Sequence, residues 1–376
     1  MSVGRVIDLT GFSAIYATRL LAEVGYEVIR VEPRSGDAIR RMGPFLGETQ
    51  DLEHGAYHQF LNAGKKSLTL DTHSNSGQRI LRDLVRSADV VIANTPPPID
   101  EMEAIQDNPG LVLTVVFDGD PDICEYARSG LLSITGHPGQ RPTLMGGRVY
   151  YAATGLYTSV ATAAAILARN VDGQGQVVRV SVMECLESLF EQAMVTYAHT
   201  GRSTERRGYR GAVSAVSGAF PCEDGYWMVS LSSSAENWNR FMDWMQDPVL
   251  AAETALADEA ERNAKRDWIL DRIEVWAKQH KKDDLVKESQ RRHIPSAPVT
   301  TPLDLAHDPQ LIARGFLQEV DHPEFGKVLF PVGAIASLRG GKVAMAPTLG
   351  QHTEEILTQL GYSPAERRVL LESGAV

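Results

Sequence analysis

Between Arg5 and Phe117, five short runs rich in valine, isoleucine and leucine recur: RVIDL (5–9), EVIRVE (27–32), KSLTL (66–70), DVVIAN (89–94) and LVLTVVF (111–117). A strand covered on one face alternates apolar and polar residues, whereas near-continuous apolar runs belong to strands buried on both faces. Parallel neighbours also need a crossover connection, usually a helix. Two intervening segments have helical spacing. Ala14–Val24 closes at Gly25, and SGQRILRDLVRS (76–87) places Ile80, Leu81, Leu84 and Val85 on one side. The pattern predicts an α/β fold: a Rossmann-like, doubly wound parallel sheet with helices on both faces.

At 376 residues the chain exceeds the roughly 250–300 residues at which a single core stops growing. We expect a large Rossmann-like domain over residues 1–200, with a helical pattern from Val180 to about Tyr197. A smaller α+β domain is expected over 219–310, and a C-terminal segment over 311–376. The Arg-rich connector GRSTERRGYRG (201–211) separates the first two. In the smaller domain FPCEDGYWMVSL reads as a hairpin turning at Glu223-Asp224-Gly225, followed by helices at 236–245, 263–280 and 283–292. GFLQEVDHPEFGKVLFPV reads as a second hairpin, with helices beginning near Gln351 and Ser363.

Several function classes are set aside by composition. Net charge is −11 without a basic stripe, so no nucleic-acid partner is expected. Cys124, Cys185 and Cys222 are scattered, without Cys/His ligand spacing, so neither a disulfide framework nor a metal site is expected. Cys185 reads as buried core. The N-terminus lacks a signal-peptide pattern, and the apolar run near Val160–Ala168 is too short to span a bilayer, so a cytoplasmic location away from membranes is expected. DLTGFSAIYA has one glycine where a dinucleotide fingerprint needs several, and no Walker A loop occurs. No permanently bound cofactor is expected.

The stretch GGRVYYAATGLYTSVATAAAILARN (146–170) looks like the entry to a helix beside a pocket. Yet no Asp or Glu occurs between Tyr126 and Val171. Other candidates have plain readings. His137, in TGHPGQRP, reads as a turn histidine, although it could serve as a proton-transfer base. Asp118, Asp120 and Asp122 in FDGDPD lack the remaining ligands of a calcium loop and read as an acidic turn.

Six ordered blocks resemble one family along nearly the whole chain. They are RVIDLTGFSAIYATRLLAEVGYEVIRVEP, KKSLTLDTHSNSGQRILRDLVRSADVVIAN, GQGQVVRVSV, FPCEDGYWMV, LAHDPQLIARGF and APTLGQHTEEILTQLG. The sequence is identified as a member of the class III CoA-transferase (CaiB/BaiF) family. That resemblance implies a C-terminal segment returning to the large domain and two chains interlocked as linked rings. It implies transfer of coenzyme A between carboxylic acids through intermediates on one aspartate, with coenzyme A or acyl-CoA as substrate. Other branches are racemases or isomerases.

Aligned on Gly155-Leu156-Tyr157, the nucleophile position falls on Tyr151, and a shift of one residue gives Tyr150 or Ala152. Two further departures surround it. The family's glycine-rich loop is replaced by the shorter FDGDPDICEYARSG, and its Ala-Gly-Pro after the first strand by Ser13-Ala14-Ile15-Tyr16. The resemblance places Leu70, Asp71, His73 and Asn94 near the nucleotide, with Thr95 opening the turn that follows. Arg34 could pair with a phosphate. Each also has a bland reading, as core, cap or solvated charge. Tyr151 reads as a wall filling the site, or else as an activated nucleophile.

Three functional readings follow. The chain is a non-catalytic subunit partnered by a related chain that carries the aspartate; or a homodimeric transferase or isomerase with a remodelled site; or an acyl-CoA binding module.

Overall fold

Val6 and Ile7 are fully buried at the centre of the molecule's main sheet, and the sheet grows outward from them. The computed structural model describes residues 3–48, 50–117, 122–211, 214, 216–231, 233–322, 326–334 and 344–376. Strands β1 (Arg5–Leu9), β2 (Glu27–Glu32), β3 (Lys66–Thr69), β4 (Val90–Asn94), β5 (Val112–Phe117) and β6 (Gln176–Ser181) form one sheet in the order β3-β2-β1-β4-β5-β6. Every pairing is parallel. The order reverses between β1 and β4, and a crevice for ligands opens at such a switch point beyond the strand C-termini.

The crossovers supply helices α1 (Ile15–Glu23), α2 (Ala56–Leu61), α3 (Asn75–Arg86), α4 (Glu101–Asp107), α5 (Asp122–Arg128), α6 (Leu131–Ile134) and α7 (Val149–Asp172), and α8 (Val182–Ser188) and α9 (Glu191–Thr200) follow β6. Helix α3 starts where the Ser74 side chain accepts the Gly77 N–H, and buries Ile80, Leu81, Leu84 and Val85 against the sheet. The expected continuous helix to Tyr197 is broken. The amides of Leu189 and Phe190 bond to the carbonyls three residues back, and this tightened turn ends α8.

The chain divides into two units. The first comprises residues 1–131, 145–192 and 309–376. Its last segment contributes α16 (Pro309–Ala313), the antiparallel pair β10 (Leu317–His322) and β11 (Gly326–Pro331), α17 (Thr353–Gln359) and α18 (Pro364–Glu372). Ile356, Leu357, Tyr362 and Leu370 join the sheet's own apolar core, and α17 packs on β3.

The second unit comprises residues 132–144 and 193–308. Strands β7 (Ser217–Cys222) and β8 (Gly225–Ser230) form the expected hairpin, and β9 (Ser296–Pro298) adds a third strand. Helices α10 (Ala235–Met245), α11 (Pro248–Ala252), α12 (Glu259–Ala264), α13 (Arg266–Ala277), α14 (Lys282–Arg291) and α15 (Pro302–Ala306) complete it. Trp227, Phe220, Phe241 and Ile273 are fully buried in its separate core. The single helix expected over 263–280 starts earlier and in two pieces. Asp258 caps α12 through the Ala260 and Glu261 amides, and Lys265 leaves helical geometry before α13.

Candidate functional site

The loop that leaves β1, Thr10-Gly11-Phe12-Ser13, divides the candidate site into an ionic side and an aromatic side. Asn94, at the end of β4, pins the loop: its Oδ1 accepts the Gly11 amide at 2.5 Å and its Nδ2 donates to Ser13 Oγ at 2.7 Å.

On the ionic side Asp8, fully buried in β1, accepts hydrogen bonds from Arg30 (2.8 Å), Lys65 (2.9 Å), Thr18 Oγ1 (2.7 Å), and the amide and hydroxyl of Thr10 (3.0 and 2.7 Å). Burial alone would raise its carboxyl, but Arg30 and Lys65 hold it well below the usual carboxylate range. Burial pushes the Lys65 ammonium down to about 8, with Asp8 acting in the opposite direction. A second buried arginine, Arg40, bonds Glu32, Glu53, the His58 ring and the Pro347 carbonyl. Burial, reinforced by the Arg40 charge, pulls the His58 imidazole down to about 3. Glu32 also accepts Ser67 Oγ, which in turn accepts the Gly350 amide and so fastens the returning C-terminal segment.

Above this network opens a cleft of about 580 Å³ at the C-terminal ends of β1, β2 and β3. Leu9, Val31, Pro33, Leu70 and Pro98 supply its apolar surface; Arg34, Asp71 and His73 line it beside Thr10, Arg30, Glu32, Ser35, Asp37 and Thr72. Four sequence candidates, Arg34, Leu70, Asp71 and His73, thus share one cleft. Leu70 is buried, while Arg34 and His73 are exposed. The Asp71 carboxylate accepts the His73 amide at 3.0 Å, and its own amide bonds the Ala375 carbonyl. Asn94 and Thr95 are outside this lining. Thr95 bonds the Val116 carbonyl through its amide and its hydroxyl, which ties β4 to β5.

The aromatic side is built on α7. Tyr151 lies in its first turn, edge-on to Phe12 with ring centroids 4.9 Å apart and 4.5 Å from the Tyr150 ring. Phe12 also meets Tyr57 edge-on at 5.4 Å, and Tyr150 meets Tyr126 at 5.4 Å. The Arg148 guanidinium lies 5.0 Å from the Phe12 centroid and 5.8 Å from that of Tyr57. Close packing brings α7 here. A Cβ at Gly155 would sit 2.8 Å from Tyr16 Cβ, so only glycine lets α7 approach α1 this nearly.

By length and hydropathy the segment 146–172 could cross a membrane, unlike the short run read from sequence. Its buried face is instead a threonine ladder. Thr154, Thr158 and Thr162 return their hydroxyls to carbonyls four residues back, and Thr162 meets Thr114 of β5 at 2.8 Å.

The remaining candidates fall elsewhere. His137 is exposed in the second unit and meets the Tyr209 ring at 5.6 Å. Cys185 is buried on α8, and burial pushes its thiol up to about 11. Asp118 and Asp120 lie outside the described residues, and Asp122 begins α5. Sequence reasoning missed Asp8, Lys65, Phe12, Tyr57 and Arg148. A lone aspartate inside the apolar run RVIDL was the available signal for the first of these.

The sequence model of CoA-transferase family III matches residues 2–353. The chain belongs to this family. It is 29% identical over 392 residues to the succinyl-CoA:mesaconate CoA-transferase of Haloarcula hispanica, covering 97% of each chain. It is 28% identical over 401 residues to the succinyl-CoA:(R)-benzylsuccinate CoA-transferase subunit BbsE of Thauera aromatica, covering 99% of this chain and 97% of that one. A crystal structure of a CAIB/BAIF family protein from Brucella suis superposes with a TM-score of 0.83 at 25% identity, covering 96% and 98% of the two chains. The family's substrates are CoA thioesters, and these relatives' names carry that chemistry.

Proposed function

We propose that this chain is the non-catalytic subunit of a class III CoA-transferase, one that moves coenzyme A between carboxylic acids with a related chain supplying the aspartate. The observation that carries the reading is Tyr151, a phenol packed against Phe12 and Tyr150 where the resemblance calls for a carboxylate. The chemistry needs that carboxylate for a specific reason. It attacks the thioester carbonyl, the C–S bond breaks, and CoA thiolate leaves behind a mixed anhydride. The thiolate then attacks the enzyme's own carboxyl carbon, releasing the first acid and leaving CoA as an enzyme thioester. The incoming acid carboxylate reverses the sequence.

A tyrosine ester has only the substrate's carbonyl, so thiolate attack on it regenerates the starting thioester. A phenol thus has no carbon to carry CoA, quite apart from its pKa of about 10. The name of the Thauera relative, a subunit, supports a heteromeric reading. On this reading CoA lies in the cleft of Arg34, Leu70, Asp71 and His73, with Asn94 shaping the loop beside it and Thr95 holding the end of β4. The apolar lining suits a base, and the Arg34 guanidinium suits a phosphate. The relatives' names both carry succinyl-CoA, and a dicarboxylic monothioester is the donor proposed here.

The test is native mass analysis of the tagged chain drawn from its source cell, with turnover measured on what is recovered. The expected result is a complex with a second chain of similar size that contains the aspartate, active only as the complex. A homodimer that transfers CoA by itself overturns the proposal.

A further inference from the structure

The second unit has a cleft of its own that the transfer chemistry leaves unused. It measures about 470 Å³, its lining lies wholly between Met245 and Gln279, and it shares no residue with the cleft beside β1. That volume falls in the range of roughly 300–1,000 Å³ typical of small-molecule pockets. Trp268, Arg272 and Trp276 line it from α13, and their four-residue spacing sets them on one face of that helix. Met245 at the end of α10 and Pro248 at the start of α11 add apolar surface.

Two features of this lining point to a ligand. The first is a guanidinium of fixed direction. Arg272 donates through Nε at 2.9 Å and Nη2 at 2.6 Å to one oxygen of Asp247, whose other oxygen caps α11 through the Val249 and Leu250 amides. A guanidinium is planar and rigid, so anchoring its side edge also fixes its end edge, where Nη1 and Nη2 present two parallel N–H groups. Among the described residues nothing accepts from that end edge. The second feature is Trp268, which is 36% exposed and has neither a ring contact nor an acceptor for its indole N–H among the described residues. Trp276, by contrast, is held rigid, with the Trp244 and His280 rings 4.9 and 4.6 Å away.

We infer that this cleft binds a flat aromatic carboxylate, its ring body against the indoles and its two oxygens on the end edge of Arg272. A neutral aromatic would leave that edge unpaired, whereas a carboxylate matches two parallel N–H groups. A phosphate dianion suits the cleft less well, because Asp247 already balances the only cation in the lining. The other acid there, Asp271, is paired with Arg210. With both carboxylates engaged and no Cys, Ser, Lys or His in the lining, the cleft is built to bind and not to catalyse. The inference is independent of where CoA binds.

The test is calorimetric binding of 2-naphthoate and of its neutral isostere 2-naphthamide to the full chain as it assembles, with indole fluorescence as a second readout. The wild type is expected to bind the acid about tenfold more tightly than the amide. Arg272→Gln should bring the two within about twofold, and Asp247 keeps its capping amides in that variant. Trp268→Leu, at an exposed position, should weaken both probes about fivefold and alike, with quenching of indole fluorescence by the acid reduced. If Arg272→Gln does not fold, the acid–amide ratio of the wild type and the Trp268→Leu loss still decide. Saturating CoA should leave naphthoate binding unchanged. No binding of naphthoate by the wild type at millimolar concentration overturns the inference, and so does equal binding of acid and amide. Unaltered binding in both variants, or displacement of naphthoate by CoA, places the probe elsewhere and overturns it as well.

Discussion

Two residues apart on the loop after β1, Thr10 and Phe12 enter opposite surroundings. Thr10 joins Asp8, Arg30 and Lys65 in a buried ionic network, whereas Phe12 joins Tyr57, Tyr151 and Arg148 in an aromatic one. Tyr151, the position that the resemblance assigns to the nucleophile, lies on the aromatic side. The ionic side is held by folding itself, because each buried charge has charged or polar partners and removing one strands the others. The aromatic side packs ring against ring, and such contacts tolerate exchange more readily than buried ion pairs do. Buried charged residues beside a cleft are therefore no sign of catalysis. Competence has to be judged on the position where chemistry would occur.

The largest expected effect tests the ionic side directly. Asp8→Ala leaves Arg30 and Lys65 buried without their shared partner, and a loss of about 3–5 kcal/mol is expected in denaturant unfolding. A loss below about 1 kcal/mol would mean that water or movement rescues the two cations, and the contrast between the sides would shrink.

The next effect depends on pH. His58 has a folded pKa of about 3 against an ordinary 6.5, so between those values the unfolded chain binds a proton that the folded chain refuses. The stability this contributes is fully present above pH 6.5 and is lost as pH falls toward 3. About 2 kcal/mol should go between pH 6.5 and 5. Stability of the wild type and of His58→Gln, measured at both pH values, checks this: the variant should lack that part of the slope. An unchanged slope would show that His58 is protonated without penalty.

The same contrast explains which parts of the molecule are legible in its sequence. Strands such as LVLTVVF and helices such as SGQRILRDLVRS are legible because burial on two faces, or on one helical face, writes itself into residue spacing. The clustering of Arg34, Leu70, Asp71 and His73 was accessible because strand ends in a parallel sheet converge. The ring contacts were not. Phe12, Tyr57 and Arg148 come from three separate segments, and no local spacing encodes a meeting across 136 residues between Phe12 and Arg148. The break between α8 and α9 escaped for a related reason: a tightened last turn involves no proline or glycine that would announce it.

A smaller effect separates the cleft from the wall. Arg34→Ala should weaken CoA binding about fivefold, and more at low salt than at high, because the side chain is exposed and its attraction to a phosphate is screened. Stability should stay within about 0.5 kcal/mol of wild type. Calorimetry at two salt concentrations checks both points against the much larger folding effect expected at Asp8. A salt-independent loss would relocate the phosphate away from Arg34.

The smallest expected effect is at Tyr151 itself, and it bears most directly on function. If the phenol is a wall, Tyr151→Phe keeps the ring that packs on Phe12 and Tyr150 and removes only the hydroxyl. Turnover of the proposed heteromer should then change by less than about twofold, whereas loss of a nucleophile costs several orders of magnitude. Installing the carboxylate that the resemblance calls for should do as little. Tyr151→Asp, assayed without a partner chain, is expected to give no measurable transfer, because on the resemblance FDGDPDICEYARSG stands in place of a covering loop and Ser13-Ala14-Ile15-Tyr16 in place of Ala-Gly-Pro. A carboxylate without oxyanion donors and exclusion of water would lose its anhydride to hydrolysis before CoA returned. Transfer by Tyr151→Asp alone would therefore mean that the aromatic side is one residue from being a working site, and that the two sides differ far less than their surroundings suggest.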